Sequence, residues 1–426
     1  MTEPKTQLVR VEKPVYGGAS LARIEGKAVF VPLTLPGEEV RIRIVEEKRG
    51  YGTAEAEEIV SPAAERITPA CRYFGACGGC HYQHVHYETQ LKFKEAILRE
   101  TLERAGVPVP VEIEVLSAEP WQYRNRIRLA FNAAGNLGYR GRRSHAVVPI
   151  QECPIAAPIL IKAALGFRVV LSATAPALRP AEVSLFCSPD ESAVLASLFL
   201  TRPAKVRFDD LARAWSEKVP ELVGAELLVE CRDREPARTL GRWGASSLAY
   251  RAAGFDYRVD HGSFFQVNRL LVDALVDRVR ANCRGKLVWD LFAGVGLFAR
   301  KLAESFGRVV AVESAPASIA ALRENLKGQP GEAIQAETLS FLCRQKSERP
   351  DLIVLDPPRT GLGTETTAEL TRVGAPALVY VSCDPATLAR DLRALTGTSY
   401  VIESLALVDL FPQTFHLETV VKLRSA

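Results

Sequence analysis

Residues 290 to 298 read Asp290-Leu291-Phe292-Ala293-Gly294-Val295-Gly296-Leu297-Phe298. The apolar run Leu287 to Leu291 leads into them and helix-forming sequence follows, so the stretch is a strand entering a glycine turn that opens a helix. Glycines there let the backbone approach a ligand closely while the helix N-terminus faces it. About 20 residues further on, a second strand ends at Glu313, where a carboxylate can accept both hydroxyls of a ribose. Together these features specify a cofactor that contains a nucleoside. Gly294-x-Gly296-x-x-Ala299 also satisfies the dinucleotide fingerprint with its permitted final alanine, so NAD stays open at this point.

Working outward, strands alternate with helix-forming stretches beyond residue 285: Leu287 to Leu291, Val309 to Glu313, Leu352 to Asp356 and Leu378 to Ser382. That alternation predicts an α/β fold with a parallel, doubly wound sheet. Two further strands, about 400 to 408 and 416 to 423, have no helix between them and are expected to pair antiparallel. Ligands of such sheets bind outside the strand carboxyl ends, and two of those ends carry Asp356-Pro357-Pro358-Arg359 and Ser382-Cys383-Asp384-Pro385. A dehydrogenase needs neither. Asp384 can cap the next helix and Pro385 can take its first position, so the Cys383 thiolate is expected to be favoured by the helix dipole. Asp-Pro-Pro after a strand presents a carboxylate and backbone carbonyls to a planar base, as methylases acting on bases do, and a methyl donor beside a nucleophilic cysteine fits methylation at C5 of a pyrimidine. That carbon becomes reactive once a thiolate adds to C6, and a base must then remove the C5 proton. Glu418, in His416-Leu417-Glu418, is the candidate base.

The chain has 426 residues, enough for two or three domains, with 47% hydrophobic and 24% charged residues and a net charge of +4. The polar start and the lack of a long apolar run predict a cytoplasmic protein with no membrane partner. Residues 8 to 60 read as short strands broken by Gly17-Gly18, Pro36-Gly37 and Gly50, as in a small β-barrel. Tyr87 to Ala105 reads as a helix, and about 121 to 250 as mainly strand. Expected units are thus 1–62, 63–258 and 259–426. Between Trp121 and His145 lie six arginines and no acid, a local field suited to phosphates. Alternation sends Arg124, Arg126 and Arg128 to one face of a strand, as RNA-phosphate ligands. Nine cysteines in a reducing compartment favour metal binding or catalysis over disulfides. Cys71, Cys77, Cys80 and the remote Cys153 supply the four thiolates that either a structural zinc or an iron-sulfur cluster requires, and their spacing favours the cluster. Cys187, Cys231, Cys283 and Cys343 are expected to be ordinary buried thiols, and His81, His84 and His86 surface or core residues. A monomer is expected, with no DNA partner.

The stretches Asp290 to Gly296, Asp356 to Gly361, Val381 to Asp391 and Phe411 to Glu418, with Phe264 to Asn268 and the cysteine set, resemble the S-adenosylmethionine-dependent RNA uracil-5 methyltransferases along nearly the whole chain. The resemblance implies a class I (Rossmann-like) methyltransferase domain, an OB-like N-terminal barrel of the TRAM type and a central, mainly-β iron-sulfur domain holding a [4Fe-4S] cluster. It implies Cys383 as nucleophile and Glu418 as general base. Gln266, Phe292, Gly294, Gly296, Glu313, Glu337 and Asp356 are implied to contact or flank S-adenosylmethionine. Barrel and cluster together resemble the branch acting on 23S ribosomal RNA. The same chemistry on a tRNA uridine and a non-catalytic RNA-binding iron-sulfur protein are the alternatives.

Overall fold

The computed structural model of the chain describes residues 6–230, 237–397 and 399–426. Five strands, β1 (Thr6–Val15), β2 (Ala19–Ile24), β3 (Lys27–Pro32), β4 (Glu39–Glu47) and β5 (Tyr51–Ser61), form a closed barrel in the order β1-β2-β3-β5-β4. Alternate residues such as Val9, Val11, Val29, Val31, Val40 and Ile42 fill its interior, and closure leaves no free edge. Outside, Arg41 and Arg43 are paired with Glu58, Glu57 and Glu55 across β4 and β5.

The cysteine loop follows, then α1 (Tyr87–Arg104) and β6 (Glu114–Leu116). A second sheet is built from β7 (Arg126–Phe131), β8 (Leu137–Arg140), β9 (Val147–Pro149), β10 (Glu182–Cys187), β11 (Val194–Leu200), β12 (Leu222–Val229) and β13 (Arg238–Gly244), ordered β13-β12-β11-β10-β7-β8-β9. Two helices, α2 (Pro158–Thr174) and α3 (Phe208–Lys218), cover one face, with Phe167 and Trp215 buried between helix and sheet. The region is mainly strand, as the sequence predicts, but that prediction does not include these two helices. α2 buries Ile159, Leu160, Ala163, Phe167, Val170 and Leu171 at helical spacing, but apolar residues such as Val169 also stand on its exposed face, which blurs the amphipathic period. The hairpin β14 (Ser247–Ala252) and β15 (Phe255–Asp260) packs Tyr250 and Tyr257 onto the C-terminal core.

The C-terminal elements are α4 (Val272–Arg280), β16 (Gly285–Leu291), α5 (Leu297–Leu302), β17 (Phe306–Glu313), α6 (Pro316–Asn325), β18 (Gly331–Gln335), α7 (Thr338–Arg344), β19 (Leu352–Leu355), α8 (Gly363–Val373), β20 (Ala377–Ser382), α9 (Pro385–Thr396), β21 (Tyr400–Val408) and β22 (Thr419–Ser425). Their sheet runs β18-β17-β16-β19-β20-β22-β21-β6. β16 to β20 are parallel and β22 is antiparallel to β21, as the sequence predicts, and β22 is also antiparallel to β20. Successive residues point to opposite faces. Val309, Ala311, Val354 and Val379 meet α4, α5 and α6, whereas Val310, Val312, Ile353 and Tyr380 meet α7, α8, α9 and α1. Segment 87–116, expected in the central unit, thus contributes a helix and an edge strand to this sheet. The order reverses between β16 and β19, which opens a crevice at their carboxyl ends. Among the described residues no helix is long and apolar enough to cross a membrane.

Candidate active site

The crevice is a cavity of about 650 Å³ lined by Gln266, Phe292, Gly294, Glu313, Glu337, Asp356, Cys383 and Glu418. Register explains the convergence: Leu291 pairs with Val312 and with Leu355, and Leu355 with Tyr380. Phe292, Glu313, Asp356 and Cys383 therefore leave the sheet at one edge. Gly296, also assigned to the cofactor, does not line the cavity. It sits beneath as the start of α5, with φ +92° and with room for a Cβ taken by Leu322. Phe292 itself has φ +66°, backbone strain of the kind found at functional sites.

Glu313 Oε2 accepts from Gly294 N (2.8 Å) and its Oε1 from Ala315 N (2.6 Å), so the carboxylate braces the turn from the neighbouring strand. Gln266 Nε2 reaches Asp356 Oδ2 at 3.5 Å, and Asn125 Nδ2 holds the Gln266 carbonyl at 2.9 Å. Glu337 stands at the start of α7. Asp290, one strand residue behind the turn, is buried with both carboxylate oxygens unpartnered, and burial raises its pKa to about 8.

Cys383 follows β20, and Asp384 caps α9 by accepting from Ala386 N and Thr387 N at 3.0 Å each. The cap and Pro385 are as predicted. The thiol's titration is not. Burial, then the Glu418 and Asp356 carboxyls, push it up to about 12, against a downward pull from Arg359. A helix N-terminus already served by the Asp384 carboxylate has little left to offer a thiolate. Glu418 is buried and its Oε1 has no hydrogen-bond partner. Burial and the neighbouring Asp356 hold its carboxyl well above the ordinary range, and burial raises Asp356 to about 7.

Sequence reasoning passed over Phe264, Arg359, Phe411 and His416, which also line the cavity. All four lie inside the quoted motifs, yet chemistry alone gave them no role. Phe264 is 62% exposed, Arg359 lies 3.4 Å from His416 Nδ1, and burial followed by Arg359 lowers His416 to about 3. From the barrel, Tyr16 OH donates to Asp384 Oδ2 at 3.2 Å.

Cys71, Cys77, Cys80 and Cys153 line one small cavity of about 40 Å³, together with Arg124 and Tyr139. The remote Cys153 is brought in where Arg124 bridges to Ala156. Burial raises Cys77 to about 11 and Cys80 to about 12. No group of three or more His, Cys, Asp or Glu among the described residues is placed to hold a metal ion. Of the three arginines assigned to RNA, Arg128 is exposed, stacked on Phe199 and paired with Glu182 and Glu230. Arg124 and Arg126 are mostly covered, with Nε unpartnered in each; Arg124 faces the cysteines and Arg126 stacks on Phe186. Cys187 is buried as expected, but Cys283 is half-buried and Cys343 exposed, a correction. Cys343 lies on α7, where a helix covering the sheet keeps its outer face in solvent. Cys231 lies outside the described residues.

Residues 2–56 match the TRAM domain, and residues 343–426 match the family described as tRNA (Uracil-5-)-methyltransferase. An RNA methyltransferase of Thermotoga maritima is 33% identical, covering 97% of this chain and 98% of its own. A 23S rRNA (uracil(1939)-C(5))-methyltransferase of Shewanella amazonensis is 31% identical, covering 96% and 94%. The solved tRNA (uracil-54, C5)-methyltransferase of Pyrococcus abyssi, in complex with S-adenosyl-L-homocysteine, superposes with a TM-score of 0.80 at 24% identity over 97% of this chain and 99% of that one. That likeness extends the shared fold through barrel, central sheet and crevice. With relatives above 30% identity along almost its full length, the chain belongs to the RNA (uracil-5-)-methyltransferase family.

Proposed function

We propose that this enzyme transfers a methyl group from S-adenosylmethionine to C5 of a uridine in 23S ribosomal RNA, through a covalent bond between Cys383 and C6. The observation that carries the reading is the convergence of Cys383, Glu418 and the strand-end carboxylates on one cavity. Gly294 lets the backbone come close to a nucleoside. Glu313 and Glu337 offer carboxylates to ribose hydroxyls, and Gln266, Phe292 and Asp356 flank the remainder. Bound there, S-adenosylmethionine supplies an electrophilic methyl group. The target base must leave its stack to enter, since C6 is unreachable inside one.

Cys383 Sγ bonds to C6, and the C5=C6 electron pair moves toward O4 as an enolate whose C5 is then nucleophilic. After methylation, Glu418 takes the C5 proton. The C–H electron pair restores C5=C6 and the C6–S bond breaks, returning the thiolate. On their own, Cys383, Asp356 and Glu418 disfavour one another's anions. A cation held among them reverses that balance, so nucleophile and base become anionic when the donor is in place.

The four cysteines suit a [4Fe-4S] cluster: they converge on one cavity, each is partly covered, and a cubane bonds each thiolate to a different iron, which asks for wider spacing than four ligands around one ion. Such a cluster would tie the cysteine loop to the start of the central sheet. Units 1–62, 63–258 and 259–426, with segment 87–116 transferred from the second to the third, then act as barrel, RNA and cluster platform, and transferase. Arg142 and Arg143 line a cleft between barrel and central sheet, together with Arg128 and Arg140, which share Glu182 as a partner, and these arginines offer RNA phosphates a positive surface.

RNA containing 5-fluorouridine tests the reading, because fluorine at C5 blocks the elimination. A 23S fragment incubated with enzyme and S-adenosylmethionine is expected to yield an adduct at Cys383 that survives denaturation, absent from Cys383→Ser and weaker with tRNA. No adduct, with no methyl transfer to uridine in either RNA, would falsify it.

A further inference from the structure

Between β21 and β22 the chain runs from Asp409 to Glu418 without regular structure, and it brings Phe411, His416 and Glu418 to the cavity. The course of this loop includes Gln413 at φ +66°, a conformation that costs energy for a residue with a side chain. What holds it comes from far away in sequence. Tyr87, Gln90 and Lys94 lie on one face of α1, at spacings of i, i+3 and i+7. Lys94 Nζ donates to Asp409 Oδ1 (2.5 Å) and to the Phe411 carbonyl (2.9 Å). Tyr87 OH donates to Asp409 Oδ2 at 2.8 Å. Gln90 Nε2 donates to Gln413 Oε1 (2.9 Å), while Gln413 N donates to Gln90 Oε1 (3.0 Å). The backbone N–H groups of His81 and Tyr82, directly after Cys80, both donate to the Gln413 carbonyl, at 2.8 and 3.1 Å.

Gln90, Lys94, Asp409 and Gln413 are all buried. A buried ion pair gains little or nothing over apolar packing of the same volume, because desolvation offsets the attraction. Its use is directional: hydrogen bonds fix a loop's position where apolar contacts let it slide. Glu418 needs such a frame, since its Oε1 makes no hydrogen bond of its own.

We infer that Tyr87, Gln90 and Lys94 are positioning residues for the elimination half of the reaction, and that through His81 and Tyr82 they join the base-bearing loop to the four-cysteine loop. The inference rests on the reading of Cys383 as nucleophile and Glu418 as base. Cys383 is held by β20 and the capped α9; Glu418 is held on one side by the sheet, where Val408 N donates to its carbonyl and Thr419 pairs with Ser382, and on the other by the 409–417 loop, so slack in that loop falls on removal of the C5 proton more than on addition. Enzyme with a loosened clamp adds, methylates and then stalls.

The test uses the full enzyme with ordinary uridine RNA and S-adenosylmethionine, resolved on denaturing gels. Glu418→Gln is the control and accumulates a methylated RNA adduct at Cys383. Gln90→Met is expected to lower kcat by about ten- to hundredfold, the usual effect of a small misplacement, with KM for RNA unchanged and the same adduct accumulating. Tyr87→Phe keeps the packing, removes one hydrogen bond, and shows the same pattern more weakly; it decides the matter if Gln90→Met loses its cooperative melting transition. Slower turnover without adduct in the folded variants, when Glu418→Gln does trap it, overturns the clamp. No adduct with Glu418→Gln overturns the assignment of Glu418 itself.

Discussion

Cys383 illustrates how a residue's surroundings can reverse an inference drawn from its neighbours in sequence. Helix position alone favours the thiolate, whereas burial and the Glu418 and Asp356 carboxyls raise the thiol to about 12. A raised thiol pKa means the reactive anion is scarce at neutral pH and grows with each unit of alkalinity. Alkylation of Cys383 by iodoacetamide, followed by peptide mapping, is therefore expected to rise about tenfold per pH unit from pH 7 to 10 in the free enzyme. A plateau below pH 8 would show that the thiol is not raised. Glu418→Gln removes one of the opposing carboxyls and is expected to speed alkylation at pH 10. Arg124 teaches the same lesson: the alternation that places it on a strand face is legible, but the loop that covers that face is not, and it ends beside cysteines.

At the scale of elements, most of the C-terminal sheet was legible because each strand is a short apolar run closed by glycine, proline or a capping acid. The β16 turn was the clearest. Gly294 and Gly296 both take left-handed backbone, at φ +55° and +92°, and a Cβ on Gly296 would sit 2.7 Å from Leu322 Cδ1. Gly296→Ala is accordingly expected to cost about 1 to 3 kcal/mol of stability from backbone strain, and to weaken binding of S-adenosylhomocysteine although residue 296 does not line the cavity. Calorimetric melting and titration check both; unchanged affinity would mean the turn is not part of the cofactor site. Two elements escaped the sequence reading for different reasons. α2 carries apolar residues on its exposed face as well as its buried one, which blurs its period, while α3 has apolar Phe208, Leu211, Ala212 and Trp215 at helical spacing, a signal that was present and masked by the strands around it. Segment 87–116 was placed in the wrong unit because an edge strand of three residues has no pattern to find.

For the whole molecule, the parts meet at the crevice edge: Tyr16 of the barrel touches Asp384 beside Cys383, and the cysteine loop touches the loop bearing Glu418. Cys80→Ala is expected to abolish brown absorbance and bound iron, and unchanged iron content would sink the four-cysteine ligand set. The sequence by itself determined the kinds of structure and the chemical inventory: a barrel, a parallel sheet with a nucleoside-binding turn, a thiol, carboxylates and four clustered cysteines. These follow from local periodicity, from backbone conformations that glycine and proline favour, and from spacings within one motif. Tertiary structure alone decided which groups share a cavity, how their charges shift one another, and that α1 grips a loop more than 300 residues away. Burial and distance set those properties, and both arise from packing between segments that no window along the chain contains.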